Sequence, residues 1–315
     1  MSKGIAALGT LICIALGSGS LCAQIANLPP AVRAKIVEIG PVLNPDMIRA
    51  TYALFTPLLQ AKPRDGVRVR MDIAYGADPK EKLDVYQPAG NGPAPIVIFV
   101  RGGGFVGADK NSNDVIYSNV AVALARQGLL GINANYRLAP AHPWPAGAED
   151  VGRMVAWAKA HGAEYDGDPR RIVLMGHSAG AAHVAAYVLT AALQPQDGPG
   201  VAGAILVSGR YRAEPGMPAN EQAYYGTDAS QYAARSPISH VNEGHVPLFL
   251  ALAEYDPLYL AEPTLDLARA VCARDQRCPR LAWLKGHNHI SSMASFDTAD
   301  QEFSNQVVDF VRSLP

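Results

Sequence analysis

The chain has 315 residues, of which 49% are hydrophobic and 17% are charged, and its formal net charge is −1. This composition is typical of a globular protein with room for one large α/β domain and a substantial core. The near-zero net charge argues against nucleic acid or an acidic membrane surface as a partner.

The first 23 residues have the pattern of a secretory signal peptide. A single lysine precedes the apolar stretch 4–16, and small residues then lead to Leu21, Cys22 and Ala23. A short basic region, an apolar segment and small residues are typical of export signals, and the apolar stretch is shorter than the ~18 residues of a membrane span. A lipoprotein anchor on Cys22 is disfavoured because the bulky Leu21 precedes it. We therefore expect residues 1–23 to be a signal peptide, and the mature protein to be periplasmic or secreted with no stable membrane insertion.

Residues 24–66 are predicted to form an N-terminal arm or cap segment, helical but broken by prolines, ahead of a main domain at 67–315. In that domain apolar runs of strand length alternate with helical patterns. The predicted strands are 67–75, 83–86, 95–100, 129–135, 171–175, 204–208, 247–253 and 280–285; the predicted helices are 119–127, 146–161, 179–192, 263–273 and a last one from about 297. This alternation indicates an α/β fold with a mostly parallel central sheet flanked by helices. Residues 209–246 lack the periodicity and are predicted to be a small lid-like insertion.

A candidate nucleophile follows the strand at 171–175. The pentapeptide Gly176-His177-Ser178-Ala179-Gly180 lies between that strand and a predicted helix. A G-x-S-x-G turn between strand and helix raises the serine hydroxyl above the sheet, and its glycines let neighbouring backbone approach closely. The N–H of Ala179, at the start of the helix, is expected to face a developing oxyanion.

A serine nucleophile needs a base and an acid that orients it, and both are expected later in the chain. Glu254 and Asp256 follow one predicted strand, while His287 and His289 follow the next. We choose Asp256, which begins the loop, and His289; His287 is expected to be a loop residue that hydrogen-bonds the backbone. No carboxylate or histidine lies at a clear spacing to make the two histidines metal ligands, so no metal or cofactor is expected.

Two cysteines remain once the predicted signal peptide is removed. Cys272 and Cys278 are separated by five residues. In an oxidising compartment two such neighbours are expected to form a disulfide, which would tie a helix end to the next strand.

Several ordered motifs carry a family resemblance. They are LDVYQP (83–88), RGGGF (101–105), NYRLAPAHPWPAGAEDV (135–151), DPRRIVLMGHSAGA (168–181), ARSPISHV (234–241), AEYDPL (253–258) and GHNH (286–289). With them the chain resembles the hormone-sensitive-lipase-like esterases of the α/β-hydrolase superfamily, and some details are closer to the feruloyl-esterase and arylformamidase branch.

The resemblance implies an α/β-hydrolase fold, with 67–315 as the catalytic domain, and a carboxylic-ester hydrolase acting on short-chain or aromatic esters. It implies a triad of Ser178, Asp256 and His289, with oxyanion donors at Gly103, Gly104 and Ala179. The implied partner is a small-molecule ester.

Arg101 departs from the resemblance, because the family usually has histidine before the three glycines. Either its stem packs along the loop and its charge pairs with a carboxylate, or it places a cation near the substrate. In the first case Arg101→His is expected to keep activity. The aromatic residues Phe105, Trp144, Tyr224 and Tyr225 are equally suited to line a substrate pocket or to pack in the core.

Three alternatives remain open from the sequence. The same triad can hydrolyse amides or formamides, and the fold can serve as a non-catalytic binding protein. A serine peptidase is less expected because no accessory domain precedes the catalytic one. An edge strand of the sheet can also pair between subunits, which would make a homodimer.

Overall fold

The computed structural model describes residues 28–63, 65–90 and 92–315, so the predicted signal peptide at 1–23 lies outside the described residues. The strands are β1 (Arg68–Ala74), β2 (Lys82–Gln87), β3 (Ala94–Val100), β4 (Leu130–Ala134), β5 (Gly167–His177), β6 (Gly203–Val207), β7 (Leu248–Tyr255) and β8 (Arg280–Asn288). The α-helices are α1 (Pro30–Ile39), α2 (Pro45–Gln60), α3 (Ser118–Arg126), α4 (Ala146–His161), α5 (Ala179–Leu189), α6 (Ala219–Tyr225), α7 (Tyr232–Arg235), α8 (Leu258–Asp275), α9 (Ser291–Ala294) and α10 (Glu302–Ser313). Short 3-10 helices lie at Gly162–Tyr165, Ala191–Leu193, Ala229–Gln231 and Pro237–His240.

The strands form one sheet in the order β1-β2-β4-β3-β5-β6-β7-β8. Strands β3 to β8 pair in parallel with one another, while β2 is antiparallel to both β1 and β4. This mostly parallel sheet with helices on both faces confirms the predicted fold class. The carboxyl ends of its central strands meet at one edge, which is where open α/β sheets bind ligands.

Each face of the sheet is covered because successive residues of a strand point to opposite sides. Along β3, Ile96, Ile98 and Val100 pack in one core with α4, α5 and α8. Their neighbours Val97 and Phe99 pack in a second core with α1, α2, α3 and α10. A continuous apolar strand is therefore explained by burial on both faces.

The N-terminal helices join the second core, and the region 209–246 contains only short elements. Ile36 of α1 and Phe55 of α2 are fully buried there. Within 209–246, the aromatic residues of α6 and α7 pack against Ala179 and Ala182 of α5. The division into arm, catalytic domain and lid stays a prediction. None of the helices in the described parts of the chain is both long and apolar enough to cross a bilayer.

The starts of two helices differ by about five residues from those that the sequence predicts. Helix α8 begins at Leu258, so Pro263 lies inside it and not at its start. The chain turns at Asp297, where φ is 63°, and α10 begins only at Glu302. Proline removes one intrahelical hydrogen bond without ending the helix, because packing of the flanking turns outweighs local propensity. The expected disulfide between Cys272 and Cys278 is present.

Candidate active site

Ser178 lies in a strained turn between β5 and α5, with φ of 56° and ψ of −122°. A Cβ on Gly176 would lie 2.6 Å from the Cα of Ala181, and one on Gly180 would collide with the carbonyl oxygen of Val100. Both glycines of the pentapeptide are therefore required by neighbouring backbone. The positive φ of a non-glycine residue at this position is the strain that a G-x-S-x-G turn requires.

The backbone amides around the turn have different partners. The N–H of Ser178 donates to the carbonyl of Val207 at 2.9 Å, which continues the pairing between β5 and β6. Ala179 is the first residue of α5, and the first amides of a helix have no intrahelical acceptor. The N–H of Ala179 therefore has no acceptor within α5.

Asp256 and His289 are directly hydrogen-bonded. His289 Nδ1 donates to Asp256 Oδ1 at 2.8 Å, and both side chains are buried. The other oxygen of Asp256 accepts from the hydroxyl of Ser208 at 2.6 Å and from the N–H of Ala253 at 2.7 Å. These bonds fix the carboxylate, and the carboxylate fixes the imidazole with Nδ1 protonated, so Nε2 is left as the basic nitrogen.

Ser178 and His289 line the same cavity of about 660 Å³. The loop residues Gly103 and Gly104 contribute another part of its wall. Part of the remaining wall comes from α2 and the segment before it, including Leu43, Ile48 and Tyr52, and part comes from Asn220, Glu221 and Tyr259. Ala179, another of the predicted site residues, lines a smaller recess that also borders Ser178. Asp256 is not among the residues that line the large cavity, but it is hydrogen-bonded to His289, which does line it.

The two rejected candidates are engaged elsewhere. Glu254 accepts from the N–H of Gly286 at 2.6 Å. His287 forms a separate pair with Asp300 at 3.0 Å and contacts the hydroxyl of Ser291 at 3.2 Å. These contacts leave neither side chain free to act on Ser178. The partners of His287 are side chains, not the backbone groups that the sequence suggested.

Arg101 is fully buried beneath the glycine loop. Its Nη1 donates to the carbonyls of Gly102 at 2.8 Å and Gly107 at 2.7 Å, and its Nε donates to Asn135 Oδ1 at 2.5 Å. The guanidinium also lies 4.6 Å from the ring centroid of Tyr136. The packing role is thus the one observed, although its partners are carbonyls and an amide and not a carboxylate. Because histidine cannot make all these bonds, Arg101→His is no longer expected to be neutral.

His177 contacts His289 in a way that the sequence did not reveal. Its ring lies 4.6 Å from that of His289, and its Nε2 donates to the His289 carbonyl at 3.0 Å. Burial, followed by repulsion from a charged His289, lowers the pKa of His177 well below its usual range. His177 is therefore a neutral support for the segment that carries His289. Its position beside the serine was the available signal.

The sequence did not decide whether Phe105, Trp144, Tyr224 and Tyr225 line a substrate pocket or pack in the core. In the structure all four pack together, and one of them also borders a recess beside Ser178. Phe105 stacks on Tyr224 with ring centroids 4.6 Å apart, and both rings contact Tyr225. Trp144 packs at the edge of the same cluster. Of these four, Phe105 alone contributes to a wall beside Ser178. Across residues 28–63, 65–90 and 92–315, no three His, Cys, Asp or Glu side chains are grouped as a metal site would require.

Comparisons with known proteins place these features in a family. A model described as the prolyl oligopeptidase family matches residues 145–314, and one described as BD-FAE matches 83–197. Esterase LipQ of Mycobacterium tuberculosis is 31% identical over 59% of this chain and 49% of its own length. Kynurenine formamidase of Danio rerio is 33% identical over 54% of this chain and 55% of its own.

A solved esterase from the archaeon Pyrobaculum calidifontis superposes with a TM-score of 0.68 at 20% identity, over 91% of this chain and 98% of its own. It has the same fold. The chain spans about half or less of the length of the curated relatives it matches. These matches confirm the resemblance indicated by the motifs.

Proposed function

Because the chain belongs to the prolyl oligopeptidase family and has an α/β-hydrolase fold, we propose that it is a carboxylic-ester hydrolase with Ser178, His289 and Asp256 as its triad. The observation that carries the proposal is the bond between buried His289 and Asp256 at a cavity that Ser178 also lines. Relatives that are named esterases support the same reaction.

The proposed mechanism uses only groups of this chain. His289 Nε2 removes the proton of the Ser178 hydroxyl as its oxygen attacks the ester carbonyl, and Asp256 stabilises the imidazolium that forms. The N–H groups of Gly103, Gly104 and Ala179 donate to the oxyanion. The imidazolium then protonates the leaving alcohol, and water activated by the same histidine hydrolyses the acyl-enzyme.

Short-chain or aromatic esters are the proposed substrates. The walls contributed by Leu43, Ile48 and Tyr52 are apolar and suit an aromatic or aliphatic group. Glu221 also lines this cavity, and its carboxylate is paired with Arg210.

Hydrolysis of p-nitrophenyl esters from acetyl to dodecanoyl tests the proposal. Wild type is expected to cleave the short esters, and Ser178→Ala is expected to lose turnover by on the order of 10⁴-fold or more. Ser313→Ala, an exposed serine at the end of α10, is the matched control and should behave as wild type. Wild-type protein that is folded but inactive on every chain length would contradict ester hydrolysis.

Amide or formamide hydrolysis is the second candidate, supported by the similarity to a kynurenine formamidase. Formanilide and an aminoacyl p-nitroanilide, measured beside the esters, separate formamidase and peptidase activity from esterase activity. Binding of an ester or amide without turnover, unchanged in Ser178→Ala, would favour a non-catalytic binding protein. A homodimer stays a prediction, to be checked by light scattering.

We also propose that the mature protein is periplasmic or secreted. The sequence pattern of residues 1–23 and the disulfide between Cys272 and Cys278 support export to an oxidising compartment. Expression of the full chain followed by N-terminal sequencing is expected to give a mature protein that begins at Gln24. Recovery of uncleaved protein in the cytoplasm would contradict export.

A further inference from the structure

Three consecutive residues of the loop after β3 have a positive φ. The angle is 139° at Gly103, 56° at Gly104 and 70° at Phe105. Glycine adopts such angles freely, but a residue with a bulky side chain rarely does. A strained backbone of this kind persists only where neighbouring groups hold it in place. The contacts of this loop therefore show what fixes the proposed oxyanion donors.

The first two peptides of the loop are held by their carbonyl groups. Arg101 Nη1 donates to the carbonyl of Gly102 at 2.8 Å, and the N–H of Gly107 donates to the carbonyl of Gly103 at 3.0 Å. In a trans peptide the N–H points away from the carbonyl. The N–H groups of Gly103 and Gly104 thus point away from these bonds, and they have no acceptor within the described parts of the chain. Both glycines line the cavity of Ser178.

The third peptide of the loop is held by a side chain from the region 209–246. Asn220 Nδ2 donates to the carbonyl of Gly104 at 3.0 Å, and among the described residues no other group donates to that carbonyl. Asn220 is the second residue of α6, is half-buried and lines the same cavity as Gly104 and Ser178. The two bonded residues are 116 positions apart in sequence. The orientation of this peptide therefore depends on the placement of α6.

Phe105 is fixed on both sides of its strained backbone. Its carbonyl accepts from the N–H of Ala139 at 3.0 Å, and its ring stacks on that of Tyr224, also in α6, with centroids 4.6 Å apart. The peptide between Gly104 and Phe105 is thus the part of the loop whose rotation would relieve the strain, because that rotation changes the φ of Phe105. The bond from Asn220 to the Gly104 carbonyl opposes this rotation.

We propose that Asn220 is a positioning residue, which holds the Gly104–Phe105 peptide in its strained orientation and so keeps the N–H groups of Gly103 and Gly104 in place for an oxyanion. The inference rests on the proposed ester hydrolysis and gives α6 a part in it. Donors that are held in place stabilise the transition state more than the bound substrate. Loss of the Asn220 bond should therefore lower kcat and leave KM nearly unchanged.

Two substitutions of Asn220 test the proposal with p-nitrophenyl acetate as substrate. Asn220→Ala removes the donor, and Asn220→Leu removes it while keeping a side chain of similar size. Both are expected to lower kcat by about 10- to 100-fold with little change in KM, because a small displacement of the loop weakens its bonds to the oxyanion. Thermal unfolding of each variant establishes that the measured protein is folded.

A transition-state analogue separates positioning from a general loss of structure. An aryl trifluoromethyl ketone adds to the Ser178 hydroxyl and forms an oxyanion, so its inhibition constant should rise by the same factor as kcat/KM falls.

Gln222→Ala is the matched control. Gln222 also lies in α6 and donates from its side-chain amide to a backbone carbonyl, that of Met217 at 2.7 Å, but it does not line the cavity. Its substitution should leave kcat and the inhibition constant unchanged.

The failures of the two proposals are distinguishable. Wild-type kcat in a folded Asn220→Leu variant would overturn the inference and leave ester hydrolysis intact; if that variant does not fold, Asn220→Ala decides the test. A raised KM at unchanged kcat would also overturn it, since Asn220 would then bind the substrate itself. An equal loss in Gln222→Ala would overturn it as well, because the effect would belong to α6 as a whole. No ester cleavage by wild type beyond that of Ser178→Ala would overturn the proposed function itself.

Discussion

Mild acidification is expected to destabilise the fold, because the buried His183 gains a proton only when the chain unfolds. The imidazole lies on α5 among the rings of Phe105, Tyr136 and Tyr224, with centroids 5.3, 4.5 and 4.9 Å away. Its Nδ1 lies 3.1 Å from the hydroxyl of Tyr224. Burial, and secondly the positive charge of Arg101, lower the pKa of His183 from 6.5 to about 3.

The sign and size of the effect follow from proton linkage. A lowered pKa means that the native state keeps His183 neutral, whereas the unfolded chain binds a proton below about pH 6.5. The free energy of unfolding therefore falls as pH decreases from about 6.5 toward 3. Between pH 7 and pH 5 the loss from this one group is about 2 kcal/mol.

Urea unfolding of wild type and His183→Gln at both pH values measures the effect. Glutamine does not titrate and its amide can still contact the Tyr224 hydroxyl, so the variant should lose about 2 kcal/mol less than wild type on acidification. His161→Gln, which changes a half-exposed histidine, is the control and should lose as much as wild type. Equal losses in wild type and His183→Gln would refute the reasoning.

Three further predictions concern the proposed machinery. Asp256→Asn should lower kcat by on the order of 10⁴-fold, because the amide no longer fixes the tautomer of His289; a loss below tenfold in the ester assay would contradict this role. Gly180→Ala should lower the free energy of unfolding by about 1–3 kcal/mol or prevent folding, since the added Cβ collides with the carbonyl of Val100; an unchanged Tm would show that the turn can relax. Arg101→His should lower kcat by about 10- to 100-fold with little change in KM, because the glycine loop loses buried donors to its carbonyls; wild-type kcat with intact folding would contradict it.

Local rules of the chain predict much of the candidate site. The nucleophile turn can be placed because strand, glycines and helix must follow one another directly in sequence. The proposed oxyanion loop at Gly103 and Gly104, in contrast, is implied by the family resemblance and not by a local rule. Long apolar runs and helical periodicity likewise predict most strands and helices, since burial repeats along an element with a fixed period.

The hydrogen-bond partners of the candidate acids and histidines depend on the tertiary structure and not on sequence periodicity. Glu254 and Asp256 lie only two positions apart in sequence, as do His287 and His289, and their three-dimensional contacts differ: Asp256 and His289 pair with each other, whereas Glu254 and His287 have other partners. The continuation of α8 through Pro263 likewise depends on packing of the turns around it.

By itself the sequence determined the fold class, the nucleophile turn and the order of the predicted triad, because each depends on residues that are adjacent or periodic along the chain. Only the tertiary structure decided the buried partners of Arg101 and the pairing of Arg210 with Glu221 beside Ser178. Those contacts join irregular segments that carry no repeating pattern. Their energies depend on burial and distance, which exist only once the chain has folded.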